Sequence, residues 1–270
     1  MGGDHLNIRL GFLGAGNMAT AIFSGALEKK VILPEQIALY DISEQKLLEH
    51  QKRYGIRICH SPQELVEESD ILLLAVKPVV AKSVLAALDM KGKALISIVA
   101  GLTYQQIQEC LLPQEEVRLL RTMPNTPLMV GCGAVAFSLP HSLSPCEYAF
   151  ARELFSSIGI VEEVEERLIS AVTGISGSGP AYTYMFIEAL ADAGVKHGLP
   201  KALSLELAVQ TVLGAAKMVQ TQGRHTSQLR DEVSSPGGTT IEAIQKLDEL
   251  GFKNAVYKAV DVCVEKANKL

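Results

Sequence analysis

The stretch Leu10 to Ala19, LGFLGAGNMA, decides how the first half of this chain is read. An unbroken apolar run leads into Gly14-x-Gly16-x-x-Ala19, and residues 17–30 then carry apolar positions at helical spacing. A tight turn at Gly14, a bare backbone at Gly16 and a small side chain at Ala19 let a strand run directly into a closely packed helix. The free N–H groups at the start of that helix suit the pyrophosphate of a dinucleotide. A glycine pattern alone is weak evidence, but here a strand and a helix flank it in the required order.

Outward from this motif, short apolar runs alternate with helical stretches. Strands are expected at residues 8–13, 37–40, 56–58, 71–76, 94–99 and 117–121, with helices such as 44–53 between them. Runs that are apolar throughout predict strands buried on both faces. Strand–helix alternation predicts a doubly wound, mainly parallel α/β sheet. A later pair, 133–138 and 159–164, brackets a helix at 145–157 and is expected to extend the sheet at its edge. From about Glu165 the strand signal ends. Helices at 182–196, 201–220 and 240–250 are separated by the breakers GSGP (177–180), GLP (198–200) and SSPGG. They are apolar around much of their circumference, so they need burial on several sides, which favours a dimer sharing helices. The expected division is an N-terminal Rossmann-type NAD(P)-binding domain, residues 1–164, and a C-terminal all-helical dimerisation and substrate-binding domain, residues 165–270.

Composition narrows the function classes. With 270 residues, 48% of them apolar and 20% charged, the chain has ample material for a core. A formal net charge of −5 gives no general attraction to nucleic acid or an anionic membrane. Cys59, Cys110, Cys132, Cys146 and Cys263 are odd in number, scattered and without a C-x-x-C pair, as reduced thiols are. No apolar run approaches the length of a membrane span. The opening MGGDHLNIRL has neither a signal-peptide core nor the Ser or Thr of a myristoylation signal, so a cytoplasmic protein is expected. Met1 to Leu6 are left out of the fold reasoning. The six histidines show no metal-ligand spacing, and no metal is expected.

Asp41 closes the second strand in IALYDIS. A carboxylate there accepts from both ribose hydroxyls and repels a 2′-phosphate, which favours NADH over NADPH. Its distance from the glycines exceeds the usual ~20 residues, an excess accounted for by the insert at 31–35. Ser43 and Lys46 close behind are able to receive a 2′-phosphate, and Asp41 is equally able to cap the next helix. AVKP (75–78), SIVAG (97–101) and MPNTP (123–127) each follow a buried strand, at the ends where open α/β sheets bind ligands. Lys77 and Asn125 are the polar side chains to watch there.

The second half carries two further signals. GISGSGPAYTY begins at Gly174. The β-hydroxyacid dehydrogenases, also two-domain Rossmann enzymes, carry G-x-x-G-x-G-x-x-x-K at this point, and here Gly174, Gly177 and Gly179 match while the lysine position is Thr183. Alcohol oxidation loses its cationic proton handler, whereas a protonated C=N accepts hydride without forming an alkoxide. In LRDEVSSPGGTTIEAIQKLDE, 229–249, a two-glycine turn feeds Thr239, Thr240 and a helix. Inward N–H groups and the helix's positive end make a small carboxylate cradle, with the Ser235, Thr239 and Thr240 hydroxyls as extra donors. The alternative is an ordinary Ser/Thr-capped helix.

GFLGAGNMA, SDILLLAVKP, SGSGPAY and above all DEVSSPGGTTIEAI resemble the pyrroline-5-carboxylate reductases, and the resemblance runs from Leu10 onward. It implies hydride transfer from NADH or NADPH to the imine carbon of 1-pyrroline-5-carboxylate, giving L-proline in the last step of proline biosynthesis. It places the phosphates on Leu13, Gly14, Ala15, Gly16, Asn17 and Met18, and the adenosine ribose near Asp41. The nicotinamide side falls on Ala75, Val76, Lys77 and Pro78 with Ile98, Val99 and Ala100. The substrate carboxylate falls on Ser235, Gly238, Thr239 and Thr240, the Thr240 hydroxyl serving as proton donor near the ring nitrogen, and Glu166 is a polar position near the substrate. Pro62 departs from the Asn that many members carry near the adenosine. The resemblance also implies helix-swapped homodimers, often assembled into decamers.

Overall fold

The computed structural model of the chain describes residues 8–111 and 117–269; Met1 to Leu6 lie outside them. Among the described residues, eight strands form one sheet: β1 Leu10–Leu13, β2 Ile37–Tyr40, β3 Arg57–Ile58, β4 Ile71–Leu74, β5 Ala94–Ser97, β6 Leu119–Met123, β7 Gly133–Leu139 and β8 Gly159–Glu165. Their order is β3-β2-β1-β4-β5-β6-β7-β8. Every pairing is parallel except that of β6 with β7, which is antiparallel. The doubly wound sheet and its extension at the edge by the later strand pair are as expected. The direction of β7 follows from its short connection, a 3₁₀ turn at Thr126–Val130, because a parallel return needs a crossover of a dozen residues or more.

Continuously apolar strands are explained by what flanks them. Along β4, Ile71 and Leu73 face one buried cluster and Leu72 and Leu74 the other. The first cluster also holds Phe12, Phe23, Phe137 and Phe155, all fully buried. Each such side chain contributes about 1.5–3 kcal/mol of burial. The helices that cover the faces are α1 Asn17–Glu28, α2 Glu44–Tyr54, α3 Pro62–Glu67, α4 Pro78–Ala86, α5 Tyr104–Leu111 and α6 Pro145–Ser156. Chain order reverses between β1 and β4: β2 and β3 lie on one side and the later strands on the other. The carboxyl ends of β1 and β4 therefore form the switch point at which such sheets take ligands.

Then follow α7 Ile169–Val172, a π-helical turn at Thr173–Gly177, α8 Gly179–Lys196, α9 Lys201–Gln222, α10 Thr226–Glu232, α11 Thr239–Glu249 and α12 Phe252–Ala267. The GSGP break is narrower than expected. The Ser178 N–H reaches the Thr173 carbonyl at 2.8 Å, which satisfies the backbone through the turn, and Pro180 sits in the first turn of α8, where no N–H is needed.

The chain divides into two compact units, one of the described residues through Ser178 with those from Cys263 onward, the other Gly179–Val262. The division expected at residue 165 follows the last strand, whereas residues 165–178 remain packed with the sheet. Within the second unit, α8 and α9 meet closely: Ser204 donates to the Ala191 carbonyl at 2.6 Å, and a Cβ on Gly194 would collide with Ser204. Leu205, Leu207, Val209 and Leu213 of α9 are nevertheless exposed. Contrary to expectation, α9 is long and apolar enough to cross a membrane by length and composition, with a mean hydropathy of 1.3.

Candidate active site

Gly14 has φ +112°, and a Cβ on it would sit 2.7 Å from the Ala75 carbonyl oxygen. Its N–H donates to the Tyr40 carbonyl at 2.8 Å, so the loop is fixed between the ends of β2 and β4. Gly16 is the N-cap of α1, and an added Cβ would meet nothing within 4 Å. No side chain caps α1, and its first turn holds no acidic residue. Ala19 is fully buried where helix and strand touch. A bare backbone before uncapped helical N–H groups is the donor set that a pyrophosphate requires, so the residues present fit a dinucleotide.

The neighbouring strand ends complete this face. Ala75 N–H donates to the Leu13 carbonyl at 2.9 Å and Ile98 N–H to the Leu74 carbonyl at 3.2 Å, which aligns the AVKP and SIVAG loops with the glycine loop. Val99 is buried, its N–H held by the Ser97 hydroxyl at 3.3 Å. Ala75, Val76, Ile98 and Ala100 are half-buried, and Lys77 and Pro78 are exposed at the start of α4. Asp41 is already engaged: one carboxylate oxygen accepts the Ala15 N–H at 2.8 Å and the other the Ser43 N–H at 2.9 Å. Ser43, not Asp41, is the N-cap of α2. Pro62 opens α3 behind the cap residue Ser61, a position that favours proline.

Asn125 and Glu166 are both bonded within the fold. Asn125 is buried, and its amide is held within the fold, donating to the Ser176 carbonyl at 3.0 Å and accepting the Ala134 N–H at 2.8 Å. It ties the end of β6 to the π-helical turn. Glu166 is gripped at one oxygen by the Arg121 guanidinium at 2.9 Å and by the Tyr104 N–H at 2.6 Å. Arg121, only 7% exposed in the middle of β6, is not among the site residues expected from the sequence. Its signal was there: a cation inside an otherwise apolar strand, in RLLRTM.

In the second unit, Gly237 has φ +65°, and Gly238 N–H donates to the Ser235 carbonyl at 3.0 Å. A Cβ on Gly238 would collide with the Ser235 hydroxyl. Gly238 itself is the N-cap of α11, with no side chain capping it, so the Ser/Thr-capped alternative is not what forms. Ser235 and Thr239 are exposed and Thr240 is half-buried. Thr183 back-bonds to the Gly179 carbonyl at 3.1 Å on α8. Among the described residues there is no cluster of His, Cys, Asp and Glu that would hold a metal ion.

Comparison with known proteins shows the family. The family described as pyrroline-5-carboxylate reductase dimerisation matches residues 166–270, and that described as NADP oxidoreductase, coenzyme F420-dependent, matches residues 9–101. The pyrroline-5-carboxylate reductase of a Synechocystis species is 41% identical over 267 residues, covering 98% of this chain and 99% of the relative. The chain belongs to the pyrroline-5-carboxylate reductases. The Escherichia coli pyrroline-5-carboxylate reductase is 40% identical, covering 97% of this chain and 98% of its own. A Plasmodium falciparum pyrroline carboxylate reductase solved with NADP bound superposes with a TM-score of 0.88 at 35% identity, covering 98% of both chains. The Streptococcus pyogenes 1-pyrroline-5-carboxylate reductase gives 0.89 at 33%, covering 97% of this chain and 99% of the other. As a pyrroline-5-carboxylate reductase, the chain is an NAD(P)H-dependent oxidoreductase whose helical half serves dimerisation.

Proposed function

We propose that this protein reduces the C=N bond of 1-pyrroline-5-carboxylate to L-proline, with the turn at Ser235, Gly238, Thr239 and Thr240 holding the substrate carboxylate. The observation that carries the assignment of the turn is the uncapped start of α11 behind two glycines, flanked by three side-chain hydroxyls. A carboxylate is favoured there by the helix's positive end and its unpaired N–H donors.

When bound, NADH or NADPH supplies the hydride. Leu13, Gly14, Ala15, Gly16, Asn17 and Met18 form the pyrophosphate loop, with Asp41 on the adenosine side. Ala75, Val76, Lys77 and Pro78, together with Ile98, Val99 and Ala100, form the nicotinamide side. Anchoring the carboxylate fixes which face of the ring is presented, and orientation of this kind supplies much of the acceleration. The Thr240 hydroxyl holds the proton at the ring nitrogen. Glu166, oriented by Arg121 and Tyr104, is the acidic group near the substrate. Asp41 has one backbone N–H on each carboxylate oxygen, which gives it a role in holding the loop whichever dinucleotide is bound.

The exposed leucines and valines of α9 suit burial by a second copy, which gives a homodimer, and the dimers assemble into a decamer. The protein is cytoplasmic and binds neither nucleic acid nor membrane. The test of the reaction is steady-state kinetics following NADH and NADPH oxidation, with pyrroline-5-carboxylate and with a 2-keto acid. Higher kcat/KM for the imine supports the assignment, and faster turnover of the keto acid overturns it. Thr240→Ala is expected to lower kcat/KM for the imine about 10²-fold or more, the lower range for loss of a general acid. An unchanged kcat/KM removes Thr240 from the site.

A further inference from the structure

The Ala15 peptide lies between the two loop glycines, and the β2–α2 segment holds both this peptide and the helix that follows it. The Ala15 N–H donates to Asp41 at 2.8 Å. The second Asp41 oxygen accepts the Ser43 N–H at 2.9 Å, so the same carboxylate joins the glycine loop to the start of α2. His50, a residue of α2, reaches the other helix of this corner. His50 Nε2 lies 3.4 Å from the Thr20 hydroxyl on α1. Its ring packs edge-on to Phe23 with centroids 5.3 Å apart and stacks on Tyr54 at 5.9 Å.

Ala15 is buried, so its N–H is withdrawn from any ligand. The donors that remain are those of the first turn of α1. Their direction depends on Gly16, whose backbone is set at φ −79° and ψ 176° directly after the clamped peptide. Burial lowers the His50 pKa from its ordinary value, which favours the neutral imidazole. A neutral imidazole carries one donor and one acceptor, and either suits the Thr20 hydroxyl.

We propose that Asp41, by clamping the Ala15 N–H, and His50, by bracing Thr20 in the first turns of α1, are positioning residues that preset the pyrophosphate site. Asp41 thereby acts on both nicotinamide dinucleotides alike and does not select between them through the ribose. This rests on the cofactor side of the function proposed above.

The test is direct binding of NADH and of NADPH by calorimetric titration to the full-length oligomer, which reads the clamp without the imine and so separates its failure from failure of the proposed reaction. Steady-state KM values for each cofactor accompany it. Asp41→Asn is expected to raise the Kd of both dinucleotides by a common factor of about five- to tenfold, as for loss of one charge-assisted hydrogen bond. A rise for NADH alone, or tighter NADPH binding, identifies Asp41 as a ribose reader and overturns the proposal. His50→Phe keeps the aromatic packing and removes the polar atoms, and it is expected to weaken both cofactors. His50→Gln, which keeps a donor and an acceptor, is expected to restore both to within about twofold of the parent. Parent-like binding by His50→Phe, or failure of His50→Gln to rescue, removes His50 from this role.

Discussion

At the scale of single residues, conformation and pairing make the sharpest predictions. Gly14→Ala places a Cβ 2.7 Å from a carbonyl oxygen at φ +112°, a site with no room to relax. It is expected to cost about 1–3 kcal/mol in denaturant unfolding and to abolish measurable cofactor binding. Arg121→Met leaves the Glu166 carboxylate without its cation. Breaking a fully buried pair costs about 3–5 kcal/mol; Glu166 keeps some contact with solvent, so about 2 kcal/mol is expected, with a higher KM for the imine. The glycine loop was legible because turn chemistry is local. The Arg121–Glu166 pair joins residues 45 apart in sequence, and nothing local connects them. Asn125 was legible as a special residue but not as a structural tie, since its partners Ser176 and Ala134 come from elements whose placement only the fold provides.

At the scale of elements, α6 shows how charge, cap and burial combine. Ser144 and Glu147 form a capping box, and Arg118 binds the same Glu147 carboxylate through two nitrogens. Burial pushes the Glu147 carboxyl up, but the hydrogen bonds from Arg118 and Ser144 together outweigh it and hold the group below the usual carboxylate range. A depressed native pKa stabilises the fold above the unfolded-state value, and that stabilisation is lost as pH falls through the native value. Glu147→Gln is therefore expected to melt about 3 °C below the parent at pH 7, the gap closing below about pH 4, in calorimetric scans. In α11, Gly238→Ala displaces the Ser235 hydroxyl and is expected to raise the KM for the imine several-fold while leaving NADPH binding unchanged by titration. Strand positions were legible from apolar runs. The antiparallel sense of β7 was not, because direction depends on the length and course of the connection rather than on side chains.

At the scale of the whole molecule, the second unit buries little of its apolar surface by itself: Ala191, Ser204 and Ala208 are the buried residues of α8 and α9. Leu213→Glu on exposed α9 is expected to shift sedimentation from oligomer to monomer and to abolish turnover. Persistence of a fully active oligomer would show that this face is not the one covered. That excess apolar surface was visible in the sequence as helices without a polar side, and it also gives α9 its membrane-like composition. The later start of the second compact unit, at Gly179, was not visible, because helical pattern does not reveal which helices stay packed with the sheet. The claim on which the rest turns is that the two-glycine turn before α11 holds the substrate carboxylate. A crystal structure of the oligomer with bound L-proline tests it most directly. The carboxylate is predicted to lie about 3 Å from the backbone N–H groups at Thr239 and Thr240; proline bound away from residues 235–240 would contradict the account.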